Sequence, residues 1–282
     1  MLDLDPTREA PAPRDAATLV LLRDGASGVE VFCVERNKKS RFLGGAIVFP
    51  GGRVEDADKG DAWRVDGPAE GGTSQFGPDE SGEDRHLRVA ACRETLEEAA
   101  IFLVDGAVSN DDVLALRTRA TTDTNAIRAF LAERGLHLDL RALAPLSRWI
   151  TPKVESRRFD ARFYVARAPE GQMGAHDMTE TMASFWDTPA KILARFDAAE
   201  IQLAPPAHRT LEILAECTDV AAAIARARAS SLAPICPELV QQENTMALVL
   251  PGDPEHSIKE RRIAGASRYV LRGEHWRAER AP

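Results

Sequence analysis

Cysteine, histidine and tyrosine are scarce in this chain, and long apolar runs are missing. The four cysteines, Cys33, Cys92, Cys217 and Cys236, lie far apart with no C-x-x-C pair. That excludes a disulfide-rich scaffold and a thiolate zinc knot, and leaves reduced thiols as the expectation. The six histidines show neither H-E-x-x-H nor zinc-finger spacing, which removes histidine-based metal chemistry. No stretch approaches the roughly 18 apolar residues of a membrane span. A basic balance is missing too: the formal net charge is -8, the wrong sign for a protein that coats nucleic acid. A small phosphorylated substrate held by a local arginine cluster stays compatible with that total. The acidic, proline-rich start MLDLDPTREAPAPRD lacks the basic and apolar regions of a signal peptide, and the end RAERAP carries no address signal. A soluble, cytoplasmic protein is expected, without nucleic-acid or membrane partners.

At 282 residues, with 44% hydrophobic and 28% charged side chains, the chain can bury a substantial core and shows no bulk disorder. After a flexible leader over 1–13, ATLVLLRD and VEVFCVER read as a hairpin around Gly25-Ala26-Ser27-Gly28. AIVFPGGRV is a strand ending in the Pro50-Gly51-Gly52 turn. Residues 56–84 are rich in Asp, Glu, Gly and Pro and poor in aliphatics, so a surface loop is expected. From His86 to Leu103 the helical signal is strong. Val89, Cys92, Leu96, Ala99 and Leu103 share one side, and Glu94, Glu97 and Glu98 spread over about 100° of arc on the other. Helices near 111–119 and 126–134 follow, the second closed by Gly135. Then come strands LSRWITP, RFDARFYVAR and ASFWDTP, and a helix at Pro189–Phe196. An alanine-rich helical stretch after Pro205-Pro206 and two candidate strands, TMALVLPGD and SRYVLRGEHW, complete the chain. No internal repeat is present.

The stretch RETLEEAA poses an electrostatic problem. Three glutamates within five residues repel one another, and no lysine stands four residues on to offset them. A solvated acidic face is the ordinary explanation for a pair of glutamates. A hard divalent cation would instead make the crowding favourable, because clustered oxygen ligands suit Mg²⁺ or Mn²⁺, which also bind substrate phosphates. Arg93 is placed to hold one of these carboxylates by a charge-assisted hydrogen bond.

These residues resemble the box of the Nudix hydrolases, G-x5-E-x7-R-E-U-x-E-E-x-G-U with U apolar. Gly52, Arg93, Glu94, Glu97, Glu98 and Ile101 fit it, with 27 extra residues between glycine and arginine. Asp58 stands where the first glutamate belongs, with Glu83 or Asp84 as alternatives across the insertion. Thr95 replaces an apolar residue, and Ala100 replaces the second glycine, which suggests that the helix runs on toward Leu103. Upstream, Arg36-Asn37, Arg41, Gly45 and Phe49-Pro50-Gly51-Gly52 resemble the segment R-S-x3-R-x3-G-x3-F-P-G-G of the coenzyme A diphosphatase branch. Only its serine differs. The enlarged box, RWITP, RRFDARFYV and APPAHRTLEIL are similar to the coenzyme A and acyl-CoA diphosphatases with a split box.

The resemblance implies an α/β (α+β) fold: an α/β/α sandwich with a mixed sheet, a Nudix domain over 14–200 carrying the 56–84 insertion, and a mostly helical extension over 201–282. It implies a metal-dependent pyrophosphohydrolase, using Mg²⁺ or Mn²⁺, for a small nucleotide substrate of the coenzyme A class. A homodimer is an admissible assembly. Glu94, Glu97 and Glu98 are assigned to metal binding, Glu94 also as a candidate base, and Arg93 to orienting them. Glu180 is the expected further carboxylate from a later loop, ahead of Glu155 and Asp177. Arg36, Arg41, Gly51, Gly52 and Arg158 are expected at the substrate, with Arg157 and Arg162 as further anion contacts. Trp149, Phe159 and Trp186 are read as core. Two alternatives stand beside this reading: a Nudix pyrophosphatase for ADP-ribose, NADH or dinucleoside polyphosphates, and a non-catalytic ligand sensor.

Overall fold

The structure is a computed structural model that describes residues 9–37, 45–60, 62–66, 84–123, 125–177, 181–242, 245–273 and 275–281. Strands β1 (Arg14–Gly25) and β2 (Gly28–Arg36) form the expected hairpin, with Gly25 opposite Gly28. The short β3 (Ala46–Val48) and β4 (Gly51–Arg53) follow. A two-residue strand β5 (Val65–Asp66) precedes helix α1 (Arg85–Ala99), then α2 (Asn110–Ala120), α3 (Ala126–Arg134) and β6 (Leu138–Asp139). Next come β7 (Ala144–Ile150), β8 (Phe159–Arg167), β9 (Thr181–Asp187), α4 (Pro189–Asp197) and β10 (Gln202–Leu203). The C-terminal part holds α5 (Pro205–Ala215), α6 (Val220–Arg228), β11 (Glu238–Gln242), β12 (Thr245–Val249), β13 (Arg268–Arg272) and β14 (His275–Glu279).

The main sheet runs β10-β3-β2-β1-β8-β7, with β4 also on β1 and β9 also on β2. Parallel pairing of β1 with β8 and of β10 with β3, among antiparallel neighbours, makes it the mixed sheet expected. Strand alternation divides β1 between two cores. Ala17, Leu19 and Leu21 pack against α1, α2 and α3, and Val20 and Leu22 pack against α4, α5 and α6. Helices therefore cover both faces.

Two expectations need correction. Helix α1 does not run on to Leu103. It stops at Ala99, because Ala100 takes the left-handed conformation (φ 50°, ψ 44°) that the missing glycine would have supplied. Gln172 then holds the chain beyond, accepting from Phe102 N at 2.7 Å and donating to Phe102 O at 3.2 Å. The start of the 56–84 segment is not a bare surface loop: Asp56–Asp58 form a 3-10 turn, Trp63 is buried with its Nε1 donating to Ala57 O at 2.7 Å, and β5 pairs with β6. Residues 67–83, Glu83 included, lie outside the described residues. The C-terminal part also carries, besides its helices, a four-stranded antiparallel sheet β11-β12-β13-β14. Its β12 and β13 lie in the two expected runs TMALVLPGD and SRYVLRGEHW, and β11 is the strand not anticipated.

Candidate functional site

Helix α1 lies under one face of the sheet, and its polar side reaches the opposite face around the edge strand β4. The two glycines of β4 make that approach possible. Gly51 N donates to Glu98 Oε2 at 3.0 Å, and a Cβ on Gly52 would collide with the Glu94 carboxylate. The FPGG turn thus leaves the room that the glutamates occupy.

Arg93 is the centre of the arrangement. Its Nε and Nη2 donate to Asp58 at 2.8 and 3.0 Å, a bidentate pair. Its Nη1 meets Glu97 Oε2 at 2.9 Å and Glu94 Oε1 at 3.0 Å, and Nη2 also reaches Arg53 O at 3.2 Å. Asp58 is fully buried and also accepts from Glu55 N at 2.8 Å. The residue at the first glutamate's position therefore meets Arg93 from the near side of the insertion. Asp84 instead pairs with the buried Arg88 at 3.1 Å. Thr95, the polar residue at an apolar position of the box, is buried and satisfied by donating to Ala91 O at 2.7 Å.

One guanidinium faces more negative charge than it neutralises. Burial pushes the Glu94 carboxyl up to about 7, against the pull of Arg93 and with repulsion from Glu97 added. Burial raises Glu97 as well, again opposed by Arg93. Oxygen-only donors with surplus negative charge fit a hard divalent cation in kind. Among the described residues, however, no three acidic, histidine or cysteine side chains converge on one point. Arg93 takes Glu94 and Glu97, and Gly51 N takes Glu98.

These side chains open on a cleft of about 950 Å³, near the upper end for small-molecule sites. Arg36 lines it, and its buried Nε has no hydrogen-bond partner among the described residues. Gly51, Gly52, Arg53, Arg157 and Arg158 line it too. Arg158 is partly committed, donating to Thr151 O at 3.0 Å and Pro11 O at 2.8 Å. Arg162 is not in the cleft. It is buried on the other face of β8 and pairs with Asp15 at 2.8 Å and Asp160 at 3.2 Å. Among the later carboxylates, Glu155 is buried in the cleft wall. Asp177 instead accepts from Thr181 N at 2.8 Å and Thr181 Oγ1 at 2.7 Å. Glu180 and Arg41 lie outside the described residues. Trp186 packs on Phe32 and Arg23, away from the cleft. Trp149 and Phe159, read as core, line it together with Phe163 and Arg14. Strand pairing brings them there: β8 beside β1 sets Phe159 opposite Arg14 and Phe163 opposite Thr18, and β7 beside β8 sets Trp149 opposite Ala161.

A mixed sheet between helical layers, with an Arg-Glu helix against a glycine edge strand, is the arrangement that the box implied. The family model of the NUDT19 Nudix domain matches residues 74–214. A crystal structure of a NUDIX hydrolase from Alicyclobacillus acidocaldarius is 30% identical with a TM-score of 0.65, covering 79% of this chain and 97% of that one. The chain belongs to the Nudix hydrolase family, in the branch of the NUDT19 Nudix domain. Proteins named acyl-coenzyme A diphosphatase NUDT19 are similar over most of it. The Gallus gallus protein is 30% identical over 251 residues, 68% of this chain and 65% of its own length. The Homo sapiens protein is 26% identical over 271 residues, 81% of this chain and 72% of its own length. The chain thus spans a little under two thirds of the chicken relative. Nudix hydrolases as a class use divalent cations. Among the described residues, no helix is long and apolar enough to cross a membrane.

Proposed function

We propose that the protein hydrolyses the diphosphate bond of coenzyme A or an acyl-CoA, giving 3',5'-ADP and an (acyl-)4'-phosphopantetheine. The observation that carries this reading is the pairing of two features on one cleft. The Arg93-clamped glutamates lie at β4, and Arg36, from the segment similar to the coenzyme A branch, lies in the wall with a buried Nε that has no partner among the described residues. The names of the NUDT19 relatives support the same substrate class.

When bound by Glu94, Glu97 and Glu98, Mg²⁺ or Mn²⁺ would supply charge neutralisation at the diphosphate oxygens and a lowered pKa for the attacking water. Arg93, fixed by Asp58, holds Glu94 and Glu97 in place, and Gly51 N does the same for Glu98. Arg36 and Arg53 offer planar donors to phosphate oxygens, with Arg157 and Arg158 further along the rim. Water attacks phosphorus, the bridging P–O bond breaks, and the water proton passes to a carboxylate. Glu94 is the candidate base for that proton. Most of the rate enhancement then comes from positioning and charge stabilisation.

The test is a substrate panel with Mg²⁺: coenzyme A, its 3'-dephospho form, acyl-CoAs, ADP-ribose and NADH, with products resolved by chromatography. Release of 3',5'-ADP at the highest kcat/KM is the expected result. Preference for ADP-ribose or NADH would overturn the substrate, and no turnover of any diphosphate would overturn the enzyme.

A further inference from the structure

A second cavity lies away from the glutamates, walled by β7, α5, α6 and the loop before β13. Its volume is about 210 Å³, below the roughly 300 Å³ at which sites for organic ligands begin, yet enough for an ion with a few waters. The chemistry of its walls is one-sided. Arg226 and Arg262 supply two positive charges, Ser147, Ser230 and Ser231 supply hydroxyls, and the other lining residues are alanine, leucine or isoleucine. No carboxylate lines it among the described residues.

The nearby acidic groups do not cancel this charge. Arg262 donates from Nη1 to Pro234 O, while its Nε is buried with no hydrogen-bond partner among the described residues. Leaving such a donor unmet is unfavourable. Arg226 has Glu216 only at 3.7 Å, beyond hydrogen-bond reach, and that pair is exposed. Glu212, beside Ile213 of the wall, is turned to Arg209 and to His208 Nδ1 at 3.3 Å. The hydroxyls add donors. Ser147 is buried, and its Oγ accepts from Trp149 Nε1 at 3.1 Å, which leaves its hydrogen to donate. Ser231 Oγ accepts from Ala233 N at 3.4 Å and keeps its hydrogen in the same way. Ser230 is spent, donating to Arg226 O at 3.0 Å.

We infer that this cavity binds a phosphate-class oxyanion, held by Arg262 and Arg226, with Ser147 and Ser231 donating to its remaining oxygens. Guanidinium forks match phosphate oxygens in geometry as well as charge. Water is the competing occupant. It can satisfy a lone donor, but it leaves the charge of both guanidiniums uncompensated. The negative end of α6 offsets part of the charge of Arg226, which sits in its last turn, but Arg262 comes from a separate loop. Trp149 stands between this cavity and the cleft, lining the cleft while its indole N–H reaches Ser147. The anion site therefore does not depend on which substrate the cleft takes.

The experiment titrates wild type, Arg36→Ala, Arg262→Gln and Ser231→Asp with inorganic phosphate by calorimetry, with sodium chloride at equal ionic strength as the blank. Arg36→Ala weakens phosphate binding in the cleft and is expected to leave the second site filled. Arg262→Gln and Ser231→Asp are expected to weaken binding at that site by about tenfold or more, the first by removing a charged donor and the second by adding a like charge to the anion. Ser231 is exposed, so its variant still reads the site if Arg262→Gln, which gives up the bond to Pro234 O, fails to fold. Glycerol phosphate is run beside phosphate: tighter binding of either supports the site and says whether a free ion or a monoester fills it. Binding no stronger than that of chloride overturns the inference. So does an affinity unchanged in the folded Arg262 and Ser231 variants, or phosphate binding that disappears in Arg36→Ala, which would put all of it in the cleft.

Discussion

Two buried arginines in this protein hold carboxylates by the same geometry and with opposite electrostatic results. Arg268 on β13 grips Asp253 with Nε at 2.9 Å and Nη2 at 2.6 Å, adds Glu255 at 2.8 Å, and shares Asp253 with Ser267 Oγ at 2.7 Å. Burial opposes ionisation of Asp253, but the hydrogen bonds from Arg268 and Ser267 outweigh it and hold the carboxyl below its ordinary range. Arg93 grips Asp58 in the same two-pronged way, yet Glu94 and Glu97 crowd the same guanidinium, and Glu94 is pushed up to about 7. The first cluster is satisfied and staples a loop to a strand. The second keeps surplus negative charge beside an open cleft, the electrostatic difference on which its proposed role rests.

The sharpest way to break this comparison is to remove charge from each cluster. Glu98→Gln keeps an acceptor for Gly51 N and deletes only the charge, so folding is expected to survive. Turnover with saturating Mg²⁺ should fall about 100- to 1,000-fold. Thermal denaturation run alongside the kinetics separates the two effects, and unchanged turnover would remove Glu98 from the metal assignment. The mirror experiment is Asp253→Asn. It leaves Arg268 buried against a neutral partner, and a loss of about 3 kcal/mol in urea unfolding is expected. The variant's kcat at low temperature should stay near wild type, since Asp253 does not line the cleft.

The two clusters should also answer pH with opposite signs. Because the folded state raises the Glu94 pKa, its contribution to metal-free stability is fully present below the unfolded value of about 4.3 and is lost as pH rises through about 7. A divalent cation binds the ionised form. The rise in Tm on adding millimolar Mg²⁺ should therefore be a few degrees larger at pH 8 than at pH 6. Asp253 has a depressed pKa, so its contribution is present above about 3.9 and lost only as pH falls through its lower folded value. An Asp253→Asn variant should keep the Mg²⁺ effect and its pH dependence. A Glu94→Gln variant should lose both, and a Mg²⁺ effect equal at pH 6 and pH 8 in wild type would contradict the raised Glu94.

What could be read before the structure follows from which forces are local. Glu94, Glu97, Glu98 and Arg93 fall within two turns of one helix, so their meeting is dictated by helical spacing. The β1–β2 hairpin is closed by a two-residue turn, which is equally local. Phe159 and Phe163 joined the cleft because β8 pairs in parallel with β1 across some 145 residues of sequence, and Trp149 followed through the pairing of β7 with β8. No periodicity in either strand announces that register. The sheet β11-β12-β13-β14 was half visible for a related reason: the single polar run ELVQQ of β11 is a strand only through its pairing with β12. The first turn of the insertion was misread because Asp, Ala and Gly suit both a solvated loop and a 3-10 turn, and burial of Asp58 against Arg93 decides between them.

Ala100 gives the smallest expected effect, and it tests whether the departure from the box is tolerated or useful. Its left-handed conformation costs roughly 1 kcal/mol for a residue with a Cβ, and glycine would remove most of that cost. Ala100→Gly also gives up a small buried methyl and adds freedom to the unfolded chain, both of which work against the gain. A net stabilisation of about 0.5 kcal/mol in urea unfolding is the expected balance. The end of α1 is fixed by contacts that do not involve the Ala100 side chain: Ala100 N bonds Leu96 O at 3.0 Å, and Ala175 N bonds Ala99 O at 2.7 Å. The glutamates one turn earlier should therefore keep their places and turnover should not change. A stabilised variant with reduced turnover would instead mean that the strained residue tunes the carboxylate cluster, and would move Ala100 from a tolerated substitution to a positioning residue.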